Sequence, residues 1–336
     1  MGEVLIRRIV DLEDVPFLPT LIFPDAEKEE FHSRAKLLGK RHFSDDLSKL
    51  LLSFHSFLIQ TTKANILVDT CCGNDKDRPT RPFWHMRRGP FLENLSKVNI
   101  KPEDIDFVMC THLHADHIGW NTKLENGTWK PTFPNAEYLF AEKEFRFWRD
   151  TIEANPLEKF LYGAYDDSIL PVISSGQAKI VKNDHDLGSG IFMEPAFGHT
   201  PGNIIVNVLS NNFHASLCGD VLHHPIQLFY PKWYTNFCSD PQQAVNTRLN
   251  FLKNCANTDT IVLPAHFQPF HYGKIENLSF AQGYLLKNFN NSYDYPRIKS
   301  SGLYINYKFD DNFMNLELAI PNFSDFMYSG GIISAR

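Results

Sequence analysis

Four metal-ligand side chains lie within six positions of one short segment of the chain. Residues 111–120 read Thr-His-Leu-His-Ala-Asp-His-Ile-Gly-Trp, and the ligand types among them are His112, His114, Asp116 and His117. Burying imidazoles and a carboxylate together is costly unless a positive charge lies between them. Packing does not explain this density, so the segment predicts a site for divalent metal.

The surrounding residues predict how the four side chains are divided. Residues 104–110 have the character of a short buried strand, and the alternation at its end places His112 and His114 on one side. The residues that follow indicate a turn toward a helix, which lets Asp116 and His117 face a second point nearby. The sequence therefore predicts a pair of metals.

Composition and charge narrow the class of protein. The 336 residues are 43% hydrophobic and 21% charged, with a formal net charge of −6. Binding a phosphate backbone over a broad surface needs clustered Lys and Arg, so nucleic acid is not an expected partner. The N-terminus is too charged for a signal peptide, and no apolar run reaches membrane-spanning length. We expect a cytoplasmic protein with no membrane partner and six reduced cysteines.

Strand-like and helical patterns are mixed along the chain. The helix pattern is clearest at Pro241–Asn257, which Asp240 can cap. Such a mixture predicts an α/β protein in which helices cover sheets. Runs rich in β-branched and aromatic residues predict strands at Phe54–Ile59, Asn65–Asp69, Phe107–Cys110, Glu137–Phe140, Ala178–Val181, Asn203–Leu209, Phe213–Cys218 and Thr260–Leu263.

No repeat or Pro/Gly/Ser linker divides the chain. We therefore expect one domain over residues 1–336, with the motif-bearing core at about 54–270. Residues 280–336 form a C-terminal extension to which the sequence assigns no role. Within it, Leu303–Phe309 and Asn315–Ile320 can pair as a hairpin.

Three further ligand candidates follow in the chain. His199 lies in a Gly/Pro turn ahead of an apolar run, while Asp220 and His266 each follow a predicted strand. A lone His or Asp at a strand end is more often a capping or surface residue than a ligand. In this order after the dense segment, the three together indicate one site.

These motifs resemble those of the metallo-β-lactamase-fold hydrolases, whose pattern is His-x-His-x-Asp-His followed by His, Asp and His. The resemblance covers about residues 54–270 and implies a four-layer αββα sandwich with metals at one edge between two sheets. It implies two metal ions, the first held by His112, His114 and His199, the second by Asp116, His117 and His266, with Asp220 bridging them.

The resemblance also bears on neighbouring residues and on the metal. Asp69 matches the family's early strand-end aspartate, which orients a ligand, although an ordinary capping role is the alternative. Cys218 is expected to point into the core. A set of imidazoles and carboxylates suits Zn, Fe, Mn or Co. Since family members with the full pattern most often carry zinc, two zinc ions are the first expectation.

A bridging hydroxide is the predicted nucleophile, since two adjacent cations lower the pKa of a shared water. Asp116 is the candidate for carrying a proton to the leaving group. His223 follows Asp220 in a Gly-Asp-Val-x-His form similar to that of methyl-parathion-hydrolase-like esterases and lactonases. It is the candidate donor to a developing oxyanion, where similar N-acyl-homoserine lactonases carry a tyrosine. The alternative is that His223 or His224 only packs beside the site.

Aromatic segments around Trp84, Trp120 and 229–234 predict either an apolar pocket or core packing. The leading interpretation is an enzyme that hydrolyses small hydrophobic lactones or esters. The alternatives are a phosphotriesterase-like hydrolase, a glyoxalase II-like thioesterase, and a metal-stabilised ligand-sensing protein on the same fold. Neither a basic glutathione-binding signature nor the RNA-binding surface of ribonuclease Z is visible. A homodimer is compatible with the sequence.

Overall fold

The computed structural model describes residues 4–27, 31–32, 34–35, 38, 40–211, 213–268, 272–278, 283–287, 304–310 and 313–319. The strands within them, in chain order, are β1 (Leu5–Phe17), β2 (Leu50–Gln60), β3 (Asn65–Val68), β4 (Phe107–Met109), β5 (Thr122–Glu125), β6 (Thr128–Pro131), β7 (Glu137–Ala141), β8 (Ala178–Val181), β9 (Asp186–Gly188), β10 (Ile191–Pro195), β11 (Ile204–Ser210), β12 (Phe213–Gly219), β13 (Ile261–Pro264), β14 (Lys274–Leu278), β15 (Gly283–Lys287), β16 (Tyr304–Asp310) and β17 (Phe313–Ala319).

The helices are shorter and lie between these strands. In chain order they are α1 (Pro19–Ile22), α2 (Phe91–Lys97), α3 (Ala115–Ile118), α4 (Glu142–Ala154), α5 (Leu170–Ser174) and α6 (Pro241–Cys255). Single 3₁₀ or π turns occur at Lys40–His42, Pro102–Asp104, Gly119–Asn121, Phe160–Gly163, Tyr165–Ile169 and Pro225–Leu228. Among the described residues, no helix combines the length and the apolar character that crossing a membrane requires.

Two mixed sheets contain most of the described strands. The larger has the order β16-β17-β1-β2-β3-β4-β7-β8, and the smaller has the order β13-β12-β11-β10-β9. In the larger sheet β3, β4, β7 and β8 run parallel to one another, whereas β1 and β2 pair antiparallel. In the smaller sheet β12 and β13 are the parallel pair. Polar loops that follow parallel strands therefore gather at one edge of each sheet.

Apolar side chains from both sheets form one inner core. Ile59 and Val68 of the larger sheet and Val206 and Leu217 of the smaller belong to a single buried cluster. Because strand side chains alternate, the opposite faces of the sheets are apolar as well and need a cover. Helices α2, α4 and α5 cover the larger sheet, and α6 covers the smaller. The layers are helix, sheet, sheet and helix, which confirms the predicted αββα sandwich.

The predicted elements agree with the observed ones to within a few residues at each end, except that β2 begins four residues earlier than expected. Asp240 caps α6 as predicted, since its Oδ1 accepts a hydrogen bond from the backbone N–H of Gln243 at 2.9 Å. Strands β16 and β17 pair antiparallel, which confirms the hairpin in the C-terminal extension. The outer ends of that prediction, Leu303 and Ile320, lie outside the described residues.

Strand β1 is absent from the sequence-based prediction. It pairs with β2 along most of its length and with β17 on its other side, so it joins the C-terminal hairpin to the larger sheet. Its charged residues conceal the pattern, because Arg8 and Asp11 are buried. Asp11 is compensated by an ion pair with Arg87, whose Nη1 lies 2.6 Å from its Oδ1.

Candidate metal centre

The dense histidine segment lies at the end of β4 and continues into the single turn of α3. Its backbone is fixed against the loop that follows β3, because Thr70 N–H donates to the carbonyl of His117 at 2.7 Å and Gly119 N–H donates to the carbonyl of Cys71 at 2.7 Å. A Cβ at position 119 would lie 2.0 Å from the carbonyl carbon of Cys72. Only glycine allows this close approach of the two loops.

The structure brings all seven predicted ligands together in two adjacent groups. In each group, every residue offers one nitrogen or oxygen atom, and these atoms lie within 4.8 Å of one another. The first group is His112, His114, His199 and Asp220, and the second is Asp116, His117 and His266. This division matches the two ligand sets that the resemblance implies. That these atoms bind metal remains a prediction.

Asp220 lies between the two groups and turns one carboxylate oxygen toward each. Its Oδ2 is 3.1 Å from His199 Nε2 and 3.7 Å from His112 Nε2. Its Oδ1 is 3.0 Å from His266 Nε2 and 3.3 Å from His117 Nε2. The carboxylate follows β12 directly, at the edge of the smaller sheet. This arrangement is the one expected of a carboxylate that would bridge two cations.

The protein engages the outer ring nitrogens of three histidines and leaves their Nε2 atoms facing inward. His117 Nδ1 donates to Asp69 Oδ2 at 2.9 Å, and His266 Nδ1 donates to the Ser53 carbonyl at 2.9 Å. His112 Nδ1 lies 3.1 Å from Thr111 Oγ1. Each outer hydrogen bond fixes one tautomer, and the Nε2 lone pairs then point into the centre.

Several inward-facing atoms have no hydrogen-bond partner in the part of the chain that the structure describes, and they fit a cation. His117 Nε2 and His266 Nε2 approach to 3.2 Å, and the outer hydrogen bond of each ring already uses a proton on its Nδ1. His112 Nε2 and Asp220 Oδ1 are buried without any hydrogen-bond partner among the described residues. Lone pairs that face one another at such distances are stabilised by a positive charge between them. The donor set of imidazoles and carboxylates suits divalent transition metals.

Electrostatics within the site also require positive charge beside Asp220. Burial lowers the pKa of His112 and of His114 well below the usual histidine value, so both rings are neutral, the form that binds metal. Burial opposes protonation of His117 too, but nearby carboxylates, chiefly Asp220, outweigh it and raise the pKa of His117 well above its usual value. The carboxylates thus attract a cation at this point.

Asp69 holds the ligand segment from the larger sheet. Its Oδ1 accepts from the Thr111 backbone N–H at 2.7 Å, and its Oδ2 accepts from Thr111 Oγ1 at 2.8 Å as well as from His117. The residue is buried, and its backbone φ of 59° is unusual for a residue other than glycine. These contacts favour the ligand-orienting role over the ordinary cap.

Glu144 is a positioning residue that the sequence analysis missed. Its Oε1 accepts from the Leu113 backbone N–H at 3.0 Å and from Trp148 Nε1 at 2.7 Å. Its Oε2 accepts from the Gly202 backbone N–H at 3.0 Å. The buried carboxylate therefore ties helix α4 to the loops that carry the first ligand group. A glutamate at the start of an amphipathic helix gives no sequence signal for such a role.

The two histidines after Asp220 occupy different environments. His223 lines the cavity above the ligand groups, with its Nε2 3.1 Å from Asp220 Oδ2 and with no hydrogen-bond partner for either ring nitrogen among the described residues. Burial lowers the pKa of His223 to about 3. His224 points away, and its Nε2 donates to the His42 carbonyl at 2.9 Å. His224 is therefore a packing residue.

A cavity of about 410 Å³ opens onto the ligand groups. Its walls are largely apolar and include Phe17, Ile22, Leu52, Phe54, Trp84, Phe160, Leu161, Tyr162 and Phe237. Of the predicted aromatic walls, Trp84 is in place. Trp120 and Trp233 instead lie in buried clusters, where Trp120 stacks on Phe91 at 5.5 Å. Cys218 is fully buried in the core, as expected.

Comparison with known proteins agrees with this fold and site. The family model of the metallo-beta-lactamase superfamily matches residues 54–266, more than half of the chain. The chain belongs to the metallo-beta-lactamase superfamily, whose members bind divalent metal ions. This confirms the predicted family and fold.

Relatives and solved structures within the superfamily are distant. A probable metallo-hydrolase of Methanocaldococcus jannaschii is 45% identical over 56 residues, 17% of this chain and 23% of that protein. An N-acyl homoserine lactonase of Bacillus cereus is 25% identical over 162 residues, 44% of this chain and 54% of the lactonase. The chain thus spans about half the length of the lactonase it matches.

Two solved structures share the fold over most of the chain. The hydrolase AbOPH of the beta lactamase superfamily has a TM-score of 0.71 and 24% identity, covering 85% of this chain and 94% of its own. AidC, a dizinc quorum-quenching lactonase in complex with a product, has a TM-score of 0.69 and 24% identity, covering 87% and 97%. At this identity the likeness establishes the fold alone.

Proposed function

We propose that the protein is a dinuclear metal-dependent hydrolase of small hydrophobic lactones or esters. The observation that carries this proposal is the position of Asp220, whose two oxygens face two separate groups of inward-pointing ligand atoms at the base of an apolar cavity. The lactonases among the relatives support an enzyme over a sensing protein.

The geometry supports one assignment of the ligands. His112, His114 and His199 would hold one ion, Asp116, His117 and His266 the other, and Asp220 both. When bound, two such ions, zinc first among the candidates, would lower the pKa of a shared water toward neutrality and polarise the substrate oxygen. The chain's own side chains then have to orient the substrate and move protons.

Two side chains beside the ligand groups are suited to those tasks. His223 can donate a ring N–H to a carbonyl oxygen that becomes negative, because the residue lines the cavity and neither of its ring nitrogens has a hydrogen-bond partner among the described residues. Asp116 lines the same cavity and keeps 16% of its side chain exposed, so its carboxylate can carry a proton to a leaving group. The apolar walls exclude water from both.

A substrate screen at fixed metal content tests this proposal. The metal-loaded protein is assayed against hydrophobic lactones, aryl esters, phosphotriesters and S-lactoylglutathione, and kcat/KM values are compared. We expect lactones or aryl esters to be preferred over the glutathione thioester. A higher kcat/KM for the thioester or the phosphotriester would show that the proposed substrate class is wrong and that the preferred compound belongs to the true class. No turnover of any substrate with both ions bound would favour the ligand-sensing alternative.

A further inference from the structure

Arg81 is a cation on the cavity wall that has no carboxylate partner in the described part of the chain. Among the described residues, no ion pair includes Arg81, and its only side-chain hydrogen bond runs from Nη2 to the hydroxyl of Tyr162. Its Nε is buried without an acceptor. Its guanidinium carbon lies 4.7 Å from the ring centre of Tyr162 and 5.7 Å from those of Trp84 and Phe237. Aromatic faces hold the charge in place without neutralising it.

The neighbouring arginines show that this situation is specific to Arg81. The other arginines of segment 76–88 each lie within 2.9 Å of a carboxylate oxygen: Arg78 with Asp167, Arg87 with Asp11 and Arg88 with Asp75. Burying polar groups without partners is costly, so structural guanidinium groups are normally paired. Arg81 retains donors that the described part of the protein does not use, and it retains them inside the cavity.

Apart from the ligand residues, the charged side chains that line the cavity are positive. The acidic side chains that line the cavity are Asp116 and Asp220, both of which belong to the ligand groups. The remaining charged lining residues are Arg81 and the exposed Lys159. Apart from the ligand residues, the cavity wall therefore offers a bound molecule apolar side chains and positive charge.

We propose that Arg81 binds a carboxylate on the part of the substrate that does not react. This inference rests on the proposed hydrolase function and narrows its substrate class to esters or lactones whose hydrophobic portion carries an anionic group. Guanidinium groups recognise carboxylates through charge-assisted hydrogen bonds, and the aromatic faces keep the group oriented before the ligand arrives. Tyr162, fixed by its own hydrogen bond with Arg81, forms the side of the same subsite.

The test uses two aryl esters of equal acyl length. 4-Nitrophenyl hexanoate is neutral, whereas the mono-4-nitrophenyl ester of hexanedioic acid ends in a carboxylate. Arg81→Met should raise KM for the anionic ester about 10-fold or more, the factor expected for one charge-assisted hydrogen bond, and leave kcat and the neutral ester within about 3-fold. Arg81→Lys should retain part of the wild-type preference for the anionic ester over the neutral one. Arg88→Met, on the exposed side of the same segment, is the matched control and should change KM and kcat for neither ester.

Two further outcomes separate this inference from the proposed function. Equal effects of Arg81→Met on both esters, at unchanged metal content and fold, would overturn the carboxylate subsite and leave the hydrolase standing. If the metal-loaded wild type hydrolyses neither ester nor any other substrate, calorimetric binding of hexanedioate and hexanoate still tests the subsite. We expect hexanedioate to bind more tightly to the wild type, and Arg81→Met to abolish that difference. No difference in the wild type would contradict the inference.

Discussion

Two buried polar clusters lie close together in this protein and differ in how their charges are satisfied. The ligand cluster consists of the seven candidate metal ligands and leaves several inward-facing atoms without partners. The lysine cluster consists of Lys76, Arg78, Thr122 and Asp167, and each of these polar side chains has partners within the protein. Arg78 contacts both carboxylate oxygens of Asp167, at 2.7 and 2.8 Å, and Lys76 Nζ donates to Thr122 Oγ1 at 2.7 Å.

The difference separates a structural cluster from one that requires an ion. In the lysine cluster, Lys76 also lies over the ring of Trp129 at 3.6 Å, and Ser168 donates to Asp167 at 2.6 Å. A network satisfied in this way stabilises the segments that line the cavity and needs nothing further. In the ligand cluster, lone pairs face lone pairs, which is unfavourable without a cation. The two clusters should therefore respond oppositely to metal removal and to mutation.

The largest expected effect is that of Asp220→Ala. Because this carboxylate faces both ligand groups, its loss should remove bound metal and lower turnover by more than the ~10²–10³-fold that loss of an oxyanion donor such as His223 typically costs. Metal analysis and kcat measurements on Asp220→Ala and His223→Ala provide the comparison. Near-normal turnover in Asp220→Ala with metals bound would show that the ligand assignment is wrong.

Asp167→Asn should affect folding and spare the metals. Removing one charge from a buried pair leaves the others uncompensated and costs about 3–5 kcal/mol. We expect the free energy of unfolding, measured in denaturant, to fall by about 3 kcal/mol or more, with unchanged metal content in the folded fraction. Asp166→Asn, at an exposed neighbouring position, is the control. Loss of metal without loss of stability would invalidate the distinction between the clusters.

Asp69→Asn should affect metal binding more than folding. An amide has one acceptor oxygen, so it cannot replace both Oδ1, which accepts from the Thr111 backbone N–H, and Oδ2, which accepts from Thr111 Oγ1 and His117. Whichever contact is lost, the segment that carries His117 loses part of its fixed orientation. Loss of such an orienting partner typically weakens metal affinity ~10–100-fold. Competition with a chromophoric chelator measures the affinity, and Asp77→Asn on the surface is the control. Unchanged affinity would return Asp69 to the role of an ordinary cap.

The last expected effect concerns the pH dependence of stability. Burial is the main cause that lowers the pKa of Lys76 to about 7, and it outweighs the attraction of Asp167. The unfolded chain, in which the lysine titrates near 10.5, binds more protons between about pH 7 and pH 10.5, so this residue makes the free energy of unfolding rise with pH in that window. The slope is at most about 1.4 kcal/mol per pH unit.

Denaturant unfolding of the wild type and of Lys76→Met between pH 7 and pH 10 measures that contribution. The difference in unfolding free energy, wild type minus variant, should increase with pH. A difference that is constant or decreases across this range would mean that Lys76 does not carry a lowered pKa in the folded protein.

The sequence was sufficient to predict the fold and the seven candidate ligands that the structure brings together. Ligand side chains are chemically distinctive, and each lies at or near the end of an apolar strand whose period is readable. The same alternation predicted β2, β3, β4 and β7 of the larger sheet and β11 and β12 of the smaller. Strand β1 was missed because Arg8 and Asp11 interrupt its apolar pattern, and their burial depends on partners far along the chain, such as Arg87.

The cavity wall was less predictable than the ligands. An aromatic residue packs equally well in a core or on a wall, so composition could not separate Trp84 from Trp120 and Trp233. Arg81 gave no signal either. Arg81 stands out because no carboxylate among the described residues pairs with it. Only the three-dimensional arrangement shows this, since it also shows that the neighbouring arginines of the same segment are paired.

The number of metal ions per chain tests the central claim most directly. The purified protein is stripped with a chelator, reconstituted with zinc, and then analysed by elemental analysis and by calorimetric titration. Because two ligand groups share Asp220, we expect close to two ions per chain in the wild type. In Asp220→Ala, we expect at least the lower-affinity ion to be lost. A stoichiometry of one or less after reconstitution, with the protein folded, would contradict the dinuclear site.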